Sequence, residues 1–205
     1  RLRANDAAYV YRDEETGGYE FFAPWPLCNI EGGARRAEHD NAPFMLRAIH
    51  RRTSADGLEW SDAELMIAPD EDDPLDQQFY YLAQHRQEGW RIGMLGSYPV
   101  QDQTMDIELC FSRDGRRWER PVRTPWIKRE DPEEAGMVYA PNRLIDAGEH
   151  WLLLYTASPG RHGEIRITER ATVRAARFPK HRFLGLRTPA GGIGHLWTRP
   201  FVLGG

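Results

Sequence analysis

The segments Ser54-Ala55-Asp56-Gly57-Leu58-Glu59-Trp60 and Ser112-Arg113-Asp114-Gly115-Arg116-Arg117-Trp118 share one pattern, Ser-x-Asp-Gly-x-x-Trp, and each follows a run of strand-forming residues. Asp-Gly favours a tight hairpin turn, because glycine accepts positive φ and the aspartate can bond to nearby backbone amides. The tryptophan can then cover the turn from the returning strand. A structural role explains the motif fully, so its recurrence speaks to fold: a turn repeated together with its flanking strands marks a repeated unit.

Upstream of each box a second pattern recurs, made of a strand, a turn with glycine and an aromatic-led strand. The first copy is 7–12, Thr16-Gly17-Gly18 and 19–23; the second is 79–85, Glu88-Gly89 and 90–95. A third copy, 137–145, Asp146-Ala147-Gly148 and 151–155, continues into 164–170 without the Asp-Gly box. Further strands are expected at 45–53 and 106–112. Glycine (19) and proline (14) punctuate the chain, and the runs between them are short and rich in Tyr, Phe, Trp, Val and Ile. No stretch has helical length and period, and helix is confined to short acidic pieces such as 61–66.

The units fall at about 4–65, 66–124 and 125–180, each with about four antiparallel strands. A sandwich does not repeat its strands as a block, so the pattern predicts an all-β chain of β-propeller blades. Three blades do not close a ring, since propellers run from about four to eight. Either the chain is a piece of a longer protein, or its ends and a partner chain complete it.

Composition bounds the function. With 205 residues, 40% of them hydrophobic and 11% aromatic, the chain can build a real core. Lys plus Arg number 27 against 31 Asp plus Glu, a net charge of −4, so no basic excess points to nucleic acid or an anionic membrane. No apolar run is long enough for a spanning helix, and the start Arg1-Leu2-Arg3 has no signal-peptide pattern. Cys28 and Cys110 have no CxxC spacing and read as two buried thiols, with a single disulfide as the alternative.

The stretch 90–98, Trp-Arg-Ile-Gly-Met-Leu-Gly-Ser-Tyr, followed by 106–121 with its Ser112-Arg113-Asp114-Gly115-x-x-Trp118-x-Arg120 phrase, resembles five-bladed β-propeller proteins related to glycoside hydrolase families 32, 43 and 68. Asp13-Glu14-Glu15-Thr16-Gly17-Gly18-Tyr19 resembles a D-P-x-x-x-x-Y segment of that group, with Glu14 where proline is usual. Leu196-Trp197-Thr198-Arg199-Pro200-Phe201 resembles the entry to an accessory β-sandwich, so 181–205 is expected as C-terminal strands of a closing blade or of that sandwich. The chain departs from the group in three places. It has no N-D-P-N nucleophile segment, Arg12-Asp13-Glu14 lacks the proline of R-D-P, and Glu108-Leu109-Cys110 is not the E-C pair. The resemblance implies that a blade preceding Arg1, able to carry a catalytic carboxylate, is absent.

Glycosidic hydrolysis needs one protonated carboxyl group to assist the leaving oxygen and one carboxylate to act as nucleophile or activate water. At the mouth of a propeller channel, residues from several inner strands converge although distant in sequence. Asp6, Asp76 and Glu134 precede the three expected inner strands at matching offsets from Tyr9, Phe79 and Met137. Their order resembles the family 43 arrangement, which implies Asp6 as base, Asp76 as modulator of the acid's pKa and Glu134 as general acid. Solvated loop carboxylates are the competing account, and the run Asp70-Glu71-Asp72-Asp73 reads as a hydrated loop.

For sugar binding, Trp25, Tyr98 and Trp126 are the stacking candidates with Trp197 beside them, and His39-Asp40 can reach over the channel mouth from a long connection. Trp60, Trp90, Trp118 and Trp151 recur at blade positions and read as core. No phosphate loop, nucleophile elbow or metal helix is present, and neither cofactor nor metal is implied. The expected partner is carbohydrate, cleaved or merely bound. An assembly part whose edge strands pair with another chain is the remaining reading.

Overall fold

The computed structural model describes residues 7–28, 45–164, 171–188, 190–198 and 200. Among them the chain is all-β, with two single-turn 3-10 segments, Pro132–Glu134 and His162–Glu164, as its only helix. No helix there is long and apolar enough to cross a membrane. Eleven strands form three antiparallel sheets taken in chain order. The first holds β1 (Tyr9–Arg12), β2 (Tyr19–Cys28), β3 (Met45–Ser54) and β4 (Glu64–Ile67) in that spatial order.

The second sheet holds β5 (Gln77–Gln87), β6 (Trp90–Pro99) and β7 (Asp106–Ser112), and a bridge from Phe111 to Glu119 extends it. In the third, β8 (Met137–Tyr139) and β9 (Ile145–Ala147) both pair with β10 (His150–Ser158), which pairs with β11 (Thr172–Pro179).

The two Asp-Gly boxes fold alike. Ser54 Oγ donates to Asp56 Oδ1 and accepts from Gly57 N; the Asp56 carboxylate accepts from the amides of Leu58 and Glu59 at 2.8 and 3.0 Å. Ser112, Asp114, Gly115, Arg116 and Arg117 repeat this with 2.8 and 2.9 Å to the last two amides. Trp60 and Trp118 each donate their indole N–H to the glycine carbonyl of their own box at 3.1 Å. Both glycines sit at positive φ, +80° for Gly57 and +72° for Gly115, where a β-carbon is strained.

The sheets are held together through their first strands. Tyr9 of β1 donates to the Ala140 carbonyl and Tyr11 to that of Asn142, both at 3.0 Å. The Tyr11 oxygen accepts from Gln84 N of β5, and Tyr81 of β5 accepts from Ala140 N. Two apolar cores flank β5. Phe22, Ile49, Phe79, Leu82, Leu95 and Cys110 fill the first, between sheets one and two; Tyr81, Met94, Ile107, Met137, Leu153 and Tyr155 belong to the second, between sheets two and three. That explains why β5 is buried over most of its length although only 79–83 of its eleven residues form an apolar run.

Between the first two sheets lies Glu20 of β2, 1% exposed. Its carboxylate is paired with Arg51 at 2.7 Å, Arg86 at 2.7 Å and Arg91 at 2.6 Å, drawn from β3, β5 and β6.

Four expectations change. The last described strand is Thr172–Pro179, which the sequence reading did not mark; its side chains alternate between half-buried and exposed, as an edge strand on β10 requires, while Glu164 ends the second 3-10 segment and residues 165–170 lie outside the described residues. Helix at 61–66 is replaced by the approach to β4, which pairs with β3. Strands expected in 181–205 are missing among its described residues. Trp90 is not core: it is 37% exposed, with the Arg113 guanidinium 3.8 Å from its ring centroid.

Candidate functional site

The leading end of the second sheet opens into a cavity of about 450 Å³ lined by Asp73, Asp76, Asp106, Glu108, Arg120 and Arg123 among others. The strand ends explain the grouping: Asp76 precedes β5, Asp106 begins β7, and Ser97 of β6 is paired in register with both Phe79 and Asp106. Its floor is a buried ion network. Arg120 grips Asp73 with two hydrogen bonds of 2.6 and 2.8 Å and Glu108 with two of 2.7 and 2.9 Å, while stacking 4.5 Å over the Phe79 ring.

Burial pushes the Glu108 carboxyl above the usual range although Arg120 pulls the other way. Asp73 lies lower than usual, where the Arg120 bonds outweigh the opposing effect of burial. Asp106 is held by Arg129, whose guanidinium reaches it at 2.6 Å and also contacts the Ala135 carbonyl. Asp76 is less committed: one oxygen accepts from Gln101 N at 3.0 Å.

Beside the cavity, at the same end of β5, a polar and aromatic cluster joins the first two sheets to the 3-10 segment His162–Glu164. Arg47 of β3 bonds Gln78 Oε1 through its backbone N–H and its guanidinium, and its charge lies 4.8 Å from the Tyr80 ring centroid and 5.6 Å from that of Tyr98. The Tyr80 hydroxyl and His162 Nε2 are 2.7 Å apart. Arg47, Gln78, Tyr80 and Tyr98 are each 5% exposed or less. Sequence reasoning passed over Arg47, Gln78, Tyr80 and His162. The available signal was Gln77-Gln78 set directly before the apolar run 79–83, since amides are seldom buried without a purpose.

The residues singled out from sequence disperse as follows. Asp76 lines the cavity. Glu134 is 5% exposed and is not part of that lining; its Oε1 accepts from the Tyr155 hydroxyl at 2.7 Å and pairs with Arg174 at 3.2 Å. Asp6, His39 and Asp40 lie outside the described residues. Tyr98 is fully buried between Tyr80 and His162. Trp126 packs on Phe178 and Phe183. Trp25 on β2 is half-buried and Trp197 is 90% exposed. Cys110 is a buried free thiol that burial pushes up; the Cys28 side chain lies outside the description. No group of His, Cys, Asp and Glu among the described residues is arranged to hold a metal ion.

No family model matches the chain. No curated protein sequence matches it either. Solved structures do. A crystal structure of an N-acetylgalactosamine deacetylase from F. plautii, in complex with blood group B trisaccharide, superposes with a TM-score of 0.56 at 12% identity over 83% of this chain. A second structure, an RGII complex of BT0996, gives 0.58 at 13% identity over 89% of this chain. In both cases 48% of the other protein is covered, so this chain spans about half the length of the structures it matches. At these identities the likeness is one of fold.

Proposed function

We propose that this chain forms part of a five-bladed carbohydrate-active propeller, related to glycoside hydrolase families 32, 43 and 68, and that its saccharide is held at the leading end of β5. The observation that carries the reading is the cavity of about 450 Å³ where Asp76, Asp106 and Glu108 stand with Arg120 and Arg123. Sugar hydroxyls donate to carboxylates and accept from guanidinium groups, and a pocket of roughly 300–1,000 Å³ is the usual size for a small ligand. The joined first strands, and a structural neighbour solved with a trisaccharide, support the same reading.

Recognition is the primary role and cleavage the secondary one. Cleavage requires a carboxyl that stays protonated beside one that ionises. Burial favours a protonated Glu108, but the double Arg120 bonds favour its ionised form. For the hydrolytic form, Asp6 as base, Asp76 as modulator and Glu134 as acid remain the proposed set. The test is titration calorimetry of the full chain against a panel of neutral oligosaccharides, with release of reducing sugar measured in parallel. Asp76→Asn should weaken binding about tenfold, or about 1.4 kcal/mol, without moving the melting temperature. Saccharides recovered uncut assign binding alone; turnover lost in Glu134→Gln assigns hydrolysis. Absence of saccharide binding to the native chain refutes the proposal.

A further inference from the structure

At the opposite end of the same strands lies a larger cavity, about 710 Å³, to which all three sheets contribute: Tyr11, Arg12 and Glu14 from the first, Gln84 and His85 from the second, Arg143 and Trp151 from the third. β5 reaches from Gln77 at the first cavity to Arg86 at the second. At about 3.3 Å per residue the two openings stand about 30 Å apart along the strand, so one small ligand cannot occupy both.

The inner wall of this cavity carries unused hydrogen-bonding capacity. Gln84 is 3% exposed; its backbone N–H donates to Tyr11, but its side-chain Nε2 is buried without a partner among the described residues. The same holds for His85 Nε2. A buried polar atom left unbonded costs about 1–3 kcal/mol, so either side chain gains by turning its nitrogen outward to a ligand in the cavity its residue lines.

Charge at the rim is unbalanced. Arg86 is committed to Asp13 and Glu20, and Asp146 to Lys180 at 2.7 Å. Arg12 and Arg143 are exposed and their side chains make no hydrogen bond or ion pair among the described residues, and Glu14 is the only described lining acid equally uncommitted. Two free guanidinium groups against one free carboxylate attract an anion. Ring stacking is not on offer, because the Trp151 ring is covered by His85 at 4.4 Å and by the Lys180 ammonium at 4.5 Å. Recognition here must run through charge and hydrogen bonds.

We propose that this second cavity binds a small anionic sugar, its carboxylate or phosphate gripped by Arg143 and Arg12 and its hydroxyls reaching Gln84 and His85. Guanidinium matches either oxyanion two-pronged, so the charge recognised is common to both. The test uses the full chain and three probes at low ionic strength, glucuronate, glucose 6-phosphate and glucose, followed by calorimetry. Saturable binding of one or both anions that Arg143→Ala weakens is expected, with any glucose binding unaffected by Arg143→Ala; which anion binds identifies the source of the charge. Arg143→Ala, at an exposed position, should weaken that binding at least tenfold, whereas Asp76→Asn at the other cavity should leave it unchanged. Glucose binding that Arg143→Ala weakens equally, anion binding that survives Arg143→Ala, loss of it in Asp76→Asn, or no saturable anion binding each overturns the proposal. Because Asp76→Asn reads the first cavity alone, failure here is separable from failure of the function proposed above.

Discussion

Replacing Glu20 by glutamine tests how the first two sheets are locked. The carboxylate is 1% exposed and paired with Arg51, Arg86 and Arg91, whose side chains are 11%, 32% and 11% exposed. Glutamine keeps the shape and removes the charge, so guanidinium groups from three further strands face one another across a neutral amide. Breaking a buried ion pair from one side costs about 3–5 kcal/mol. Arg86 can turn partly to water, which places the expected loss near the low end, about 3 kcal/mol. For a chain of this size that is a fall in melting temperature of roughly 6–12 °C.

Thermal unfolding followed by circular dichroism measures it, with Glu64→Gln as reference. Glu64 is 46% exposed and pairs loosely with Arg51 at 3.6 Å and Arg116 at 3.5 Å. Its loss should cost under about 1 kcal/mol, as for other surface pairs. If both variants melt together, Glu20 is not the lock described.

Other outcomes follow from the turns and the ion network. Gly115→Ala should destabilise more than Gly57→Ala by about 1 kcal/mol or more in urea unfolding, since both strain φ but only the Gly115 β-carbon runs into a guanidinium, that of Arg91. The Asp114 carboxyl is held down at about 2, chiefly by the amides of Arg117 and Arg116. Its folded value is below its unfolded one, so its stabilisation is present above about pH 4 and fades as pH falls toward 2. Acid unfolding of Asp114→Asn should therefore depend less steeply on pH across that window. Arg120→Met strands the Glu108 carboxylate and leaves Asp73 with Arg123 alone at 3.1 Å, each carboxylate side chain being 3% exposed, and should cost about 3–5 kcal/mol in the same urea assay.

The turns were legible because their information is local. Asp56-Gly57 and Asp114-Gly115 specify backbone geometry over a few residues, and the bonds they form are nearly identical in the two copies. The β11 strand went unmarked because Thr172–Pro179 carries three charged or polar residues among its apolar ones and is defined by its pairing with β10 along its whole length. Glu20 was invisible for a related reason. A lone glutamate between aromatic residues on a strand reads as a solvent-facing position, and its three arginines arrive from distances that no local pattern records.

Part of the candidate site shared that fate. Aligning acids by their offset from each first strand found Asp76, which does line a cavity. The same rule selected Glu134, at the end of a 3-10 segment, whose carboxylate accepts from Tyr155 and pairs with Arg174 of the third sheet. An offset fixes how far along a strand a residue stands but not which neighbours claim its side chain. On β5 those neighbours differ between the ends: acids and paired arginines gather before Gln77, while unpaired guanidinium groups and unbonded amide and imidazole nitrogens gather around Gln84 and His85. A single strand thus presents two chemically opposite openings. A neutral saccharide and an anionic one should sort between them, and Asp76→Asn and Arg143→Ala should each silence only one.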